Sequence, residues 1–63
     1  MTQRNEIIVN GVDVTELAVY DMRGRMVATT ADDTLSTAGI TAGVYLVRVT
    51  TPEKVYTEKV VIR

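Results

Sequence analysis

Cysteine, histidine, tryptophan and phenylalanine are all missing from this 63-residue chain, and it holds a single proline. Without Cys no disulfide can tie the fold, and without His or Cys the usual metal sites are out of reach. The same absences remove Ser–His and Cys–His nucleophilic pairs, which need a base that titrates near neutrality. The lack of Cys fits an oxidising or a reducing compartment equally and decides nothing between them. Neither sign of charge is in excess: seven Lys and Arg stand against eight Asp and Glu. A net charge of −1 gives no field to attract nucleic acid or an anionic membrane. Apolar runs stop after a few residues, against roughly 20 for a membrane span. Ile7-Ile8-Val9, behind a polar start, is also too short for a signal-peptide core of about 7–15 residues, so any export signal is expected elsewhere.

What is present points to a small packed domain. The apolar share is 46%, mostly Val, Ile, Ala and Leu, which is too high for a disordered segment. The length fits one domain, residues 1–63, with neither linker nor repeat. A chain this short buries only about 60% of its unfolded surface. Its core is therefore marginal, and self-association is an expected remedy.

Strand signals dominate the chain. Glu6 to Val9 is a β-branched run closed by Asn10-Gly11. Thr15 to Asp21 alternates, with Leu17 and Val19 on one face and Ala18 and Tyr20 on the other. Asp21-Met22-Arg23-Gly24 carries a type I turn signature with Gly24 placed for a bulge, and Arg25 to Thr30 returns as a hairpin strand. A polar loop, Ala31-Asp32-Asp33, leads to a short strand at Thr34 to Thr37. After a glycine-bounded turn, Gly43 to Thr51 forms the clearest strand, with Tyr45, Val47 and Val49 on one face and Val44, Leu46 and Arg48 on the other. Both faces are largely apolar, which predicts a central strand covered on each side. Pro52-Glu53 turns the chain into a last strand from Lys54 to Arg63. No helical stripe is sustained anywhere. The expectation is an all-β fold, a small Ig-like Greek-key sandwich of about six to seven short antiparallel strands.

Few residues offer chemistry. Ser36, the lone serine, reads as a turn-side hydroxyl in an edge strand. Asp32 and Asp33 are adjacent, so on extended backbone they point apart, and two carboxylates alone make a poor calcium site. Gly39 and Gly43 precede a strand rather than the helix a phosphate loop requires, so they read as a structural turn. Tyr20, Tyr45 and Tyr56 read as sheet-packing aromatics, with a ligand-stacking platform as the rival. Arg23 and Arg25 flank a turn and should be solvated, while mid-strand Arg48 needs an acid on a neighbouring strand or a route to solvent.

Three blocks taken together are more specific. Gly39-Ile40-Thr41-Ala42-Gly43-Val44-Tyr45-Leu46-Val47-Arg48-Val49 resembles the Gly-Leu-x-x-Gly-Val-Tyr-x-Val-x-Val stretch of type IX secretion system C-terminal sorting domains. Val19 to Val27 is similar to that family's Val-Tyr-Asp-x-x-Gly-Arg-x-Val hairpin, and Lys59-Val60-Val61-Ile62-Arg63 to its closing strand. Ile40 replaces the usual Leu, and Thr41 stands where Pro is common. The family usually opens with Pro-Asn-Pro and a first strand. Met1 to Asn5 differs, which gives the expectation of an excised fragment lacking its cargo and its opening strand.

The resemblance implies a secretion address with no catalysis and no cofactor. An exported protein would pass the periplasm on its way to the outer-membrane surface or the exterior. Its implied partners are the outer-membrane translocon with its shuttle protein and a cell-surface sortase, which in many members removes the domain. Recognition would map to Gly39, Gly43, Val44, Tyr45 and Val47 and to Lys59, Val60, Val61, Ile62 and Arg63. An accessible last strand offers backbone for β-augmentation, while Val60 and Ile62 can equally be core with Lys59 and Arg63 solvated. A homodimer by strand exchange or edge pairing is a further expectation. The alternative function is an Ig-like spacer or carbohydrate-binding module, which predicts exposed tyrosines.

Overall fold

A computed structural model describes residues 2, 3 and 6–63. Among them are seven strands and no helix: β1 (Thr2–Gln3), β2 (Glu6–Ile8), β3 (Glu16–Tyr20), β4 (Met26–Thr30), β5 (Thr34–Ser36), β6 (Gly43–Thr50) and β7 (Val55–Ile62). They form two antiparallel sheets, β1-β2-β5 and β4-β3-β6-β7. The chain crosses between sheets after β2, β4 and β5, so strands distant in sequence become neighbours. This is the strand order of an Ig-like sandwich with a four-stranded second sheet, in agreement with the expected fold.

The period-two pattern decides what is buried. Leu17 and Val19 of β3 and Tyr45, Val47 and Val49 of β6 face Ile7, Val9 and Leu35 across the core, with Ile62 closing one end. Leu17, Val19, Val47, Val49 and Ile7 are fully buried. Each such aliphatic side chain contributes about 1.5–3 kcal/mol by leaving water. Those burials offset the entropy of a chain with no cross-link.

Turn chemistry sets the registers. In the β3–β4 hairpin the Gly24 N–H donates to the Asp21 carbonyl at 3.0 Å, and the Asp21 N–H to the Arg25 carbonyl at 2.9 Å. Gly24 has φ +86°, open to glycine and strained for other residues, and the register shifts between Val19 and Tyr20. The Asp21 carboxylate accepts from the N–H groups of Arg23 and Arg25, at 2.9 and 3.0 Å. At the β6–β7 turn the Thr51 N–H donates to the Lys54 carbonyl at 2.8 Å, and the Thr51 hydroxyl accepts from the Lys54 N–H.

Two expectations are corrected. The sheet has a covered face and an open one, so β6 is central in its sheet without being buried on both sides: Val44 is exposed, and Leu46, Arg48 and Thr50 are half-buried. The apolar outer residues are too few, and too mixed with Arg48, to require a second layer. An opening strand is also present, since Thr2 and Gln3 pair with Ile8 and Ile7. Of the segment expected to replace it, Met1, Arg4 and Asn5 lie outside the described residues.

Candidate functional site

The residues singled out in the sequence converge on the terminal hairpin and the corner leading into it, but not on one surface. At the corner, the Ile40 N–H donates to the Thr37 carbonyl at 3.0 Å, closing a turn whose third residue, Gly39, has φ +85°. From the start of β6, Tyr45 reaches back to this corner. Its hydroxyl donates to the Thr41 carbonyl at 2.6 Å, while its ring packs in the core and lies 3.6 Å from where a Cβ on Gly43 would sit. An Ig-like fold pins the entry to its sixth strand with such a tyrosine corner. Tyr45 therefore joins an exposed turn to the buried centre. Reading the sequence alone missed this bond, because no spacing rule marks Thr41 as the acceptor.

Beyond the corner the candidates alternate in destination. Tyr45 and Val47 on β6 and Ile62 on β7 are buried, and Val60 packs partly against the same core. Val44, Lys59, Val61 and Arg63 are exposed. The pairs Val44↔Val61 and Leu46↔Lys59 lie side by side on the open face. Tyr20 and Met26 continue that face across the sheet, through the pairs Tyr20↔Leu46 and Tyr20↔Met26. The result is an apolar strip with Lys59 at its margin. Its signal in the sequence was the apolar content of both β6 faces.

Among the described residues, two ion pairs lie on this sheet and its β3–β4 turn. The Arg48 guanidinium lies 3.6 Å from the Glu16 carboxylate and 5.2 Å from the centroid of the Tyr20 ring. This is the neighbouring-strand acid that a mid-strand Arg calls for. Both partners are about half exposed, so the pair fixes side-chain direction more than it stabilises the fold. Arg25 pairs with Asp21 at 3.2 Å. The N–H of Arg25, followed by opposing desolvation, then by the N–H of Arg23 and the Arg25 guanidinium, holds the Asp21 carboxyl below the usual carboxylate range.

The rival chemical readings gain no geometry. Tyr45 is core, Tyr56 packs against the core beneath Lys54, and Tyr20 lies under Arg48, so none is exposed. Ser36 accepts a hydrogen bond from the Ala38 N–H, and Asp33 one from the Thr34 hydroxyl. Among the described residues no three His, Cys, Asp or Glu side chains gather where an ion could be held, and no buried side-chain nitrogen or oxygen lacks a hydrogen bond.

The model of one protein family, described as secretion system C-terminal sorting domain, matches residues 2–63. No curated protein and no solved structure matches the chain. The chain thus belongs to the C-terminal sorting domains, the signals that send a protein through type IX secretion. Such a signal implies an exported protein bound for the cell surface or the extracellular space, and contact with the secretion machinery. The family is one of signal domains rather than catalysts.

Proposed function

We propose that the terminal hairpin of this sorting domain, β6 and β7, is the surface the secretion machinery reads, and that the domain performs no chemistry of its own. In this reading the folded domain is met in the periplasm by the outer-membrane translocon and its shuttle protein. A cell-surface sortase then recognises the domain, with or without removing it. The supporting observation is the position of β7, at the end of its sheet with Lys59, Val61 and Arg63 exposed. An unpaired strand edge is a ready template for another chain.

The recognition residues divide accordingly. Val44, Lys59, Val61 and Arg63 touch the partner, while Gly39, Gly43, Tyr45, Val47, Val60 and Ile62 hold the hairpin in the shape that is read. Self-association by strand exchange or edge pairing belongs to the same reading, and a light-scattering mass of one chain at every concentration would exclude it. The central test fuses the chain to a periplasmic reporter in a type IX-competent host, with and without Lys59 to Arg63. Loss of surface display on truncation is expected; equal display would end the proposal.

A further inference from the structure

The edge of β7 carries more instruction than its mere availability. The Thr51–Lys54 hydrogen bond faces across the β6–β7 ladder. Alternation along an antiparallel pair then turns the N–H and C=O groups of Tyr56, Glu58, Val60 and Ile62 toward β6. Those of Val55, Thr57, Lys59 and Val61 point away, where no strand pairs with them among the described residues. With eight residues, β7 is much longer than the other edge strands β1, β4 and β5.

The same alternate residues send their side chains to the open face, as the row Val55, Thr57, Lys59, Val61, and Arg63 follows one residue past the strand, at the next position of the same two-residue period in sequence. Its charges are all positive. Arg25 and Arg48 each have a carboxylate partner, whereas Lys59 and Arg63 form no ion pair among the described residues. The acid nearest in sequence, Glu58, stands on the opposite side of the strand.

From this we infer that β7 accepts an extended segment of a partner protein as an added strand, with two acidic side chains four residues apart opposite Lys59 and Arg63 and an apolar residue between them opposite Val61. The inference rests on the proposed reading of the terminal hairpin and specifies the chemistry of the partner. A four-residue spacing keeps both acids on one face and separates them by roughly 13 Å, matching the basic pair. A second copy of β7 is the poorer occupant. The outward backbone groups pair only when odd-numbered residues oppose odd-numbered ones. The two such registers that overlap β7 most fully set Lys59 against Lys59 or Glu58 against Glu58, and like charges directly opposite are destabilising.

The test uses the chain as it stands with two synthetic peptides, one carrying Glu four residues apart with Val midway, the other Lys in place of both Glu. Amide resonances of Val55, Thr57, Lys59 and Val61 should shift on adding the Glu peptide, which should bind roughly tenfold tighter than its Lys twin at low salt. The Lys59→Glu/Arg63→Glu variant should reverse that preference. Val61→Pro breaks no hydrogen bond to β6, so it should keep the fold by thermal melting; it removes an outward N–H and the Val side chain that meets the partner, so it should lose binding. Equal affinity for both peptides, no binding at millimolar concentration, or a dimer that the Glu peptide leaves intact would each overturn the inference.

Export of the reporter separates this inference from the reading beneath it. If truncation of Lys59 to Arg63 leaves display unchanged, the reading of the hairpin fails. If truncation abolishes display while charge reversal and Val61→Pro preserve it, only the acidic-strand inference fails.

Discussion

Replacing Tyr45 with Phe isolates one hydrogen bond at the point where the turn meets the core. The substitution keeps the buried ring and removes only the hydroxyl that donates to the Thr41 carbonyl at 2.6 Å. Thr41 is exposed, so its carbonyl can turn to water and the penalty for a stranded buried acceptor does not apply. What remains is the net worth of a neutral hydrogen bond, about 1 kcal/mol. A domain this short has a total stability of only roughly 3–9 kcal/mol. At this size 1 kcal/mol displaces the melting temperature by about 4–8 °C, and that is the expected fall for Tyr45→Phe by calorimetry or far-ultraviolet dichroism. Tyr45→Ala also empties the ring site and should cost about 3–5 kcal/mol, enough to leave much of the chain unfolded. A Phe variant that melts within a degree of the parent would refute the corner as a fastening. A Phe variant as damaged as the Ala variant would refute the claim that Thr41 recovers its hydration.

Three other perturbations probe separate parts of the fold. Gly39→Ala meets open space but holds an L-residue at φ +85°, so strain alone should cost about 1–2 kcal/mol in denaturant titration. Val47→Ala empties a fully buried site at about 2 kcal/mol, whereas Val61→Ala on the open face should stay within about 0.5 kcal/mol. Because the folded pKa of Asp21 is depressed, its stabilising effect is complete above the unfolded Asp value of about 3.9 and fades as pH falls through the folded value. The melting-temperature gap between the parent and Asp21→Asn should therefore close below about pH 4; a gap constant down to pH 2 would contradict the carboxylate's role in the turn.

Most of the sheet was legible because its strands obey a two-residue period. The alternation of Val47 with Arg48 gives the buried face directly, and Asp21 and Gly24 mark their turn by requirements that few other residues meet. Coverage of the open face was not legible. Val44 and Leu46 look the same in sequence whether a second layer lies over them or water does, and only the count of strands settles which. The partners of Arg48 and Tyr45 were hidden for another reason. Glu16 reaches Arg48 through the pairing of β3 with β6, and Thr41 meets Tyr45 through the shape of a corner; neither contact has a fixed sequence offset that periodicity can reveal. The proposed recognition segment posed the hardest case, since its residues sit together in the chain but divide between core and surface in the fold.

That division links stability to reading. A strand has two faces, and β7 gives one to the core through Val60 and Ile62 while the other holds Lys59 and Val61 in line. If the hairpin loosens, the row loses its spacing and the outward backbone groups lose their common direction, so only a folded domain presents the pattern. Variants should therefore fall into two kinds. Tyr45→Phe removes about 1 kcal/mol from a domain holding several, leaves at most a few per cent unfolded, and should be exported almost normally. Lys59→Glu/Arg63→Glu should melt like the parent and still fail to be displayed. Were the Phe variant folded and yet retained in the cell, the Tyr45 hydroxyl itself would have to be read by the machinery, and the separation of buried fastening from exposed signal would be wrong.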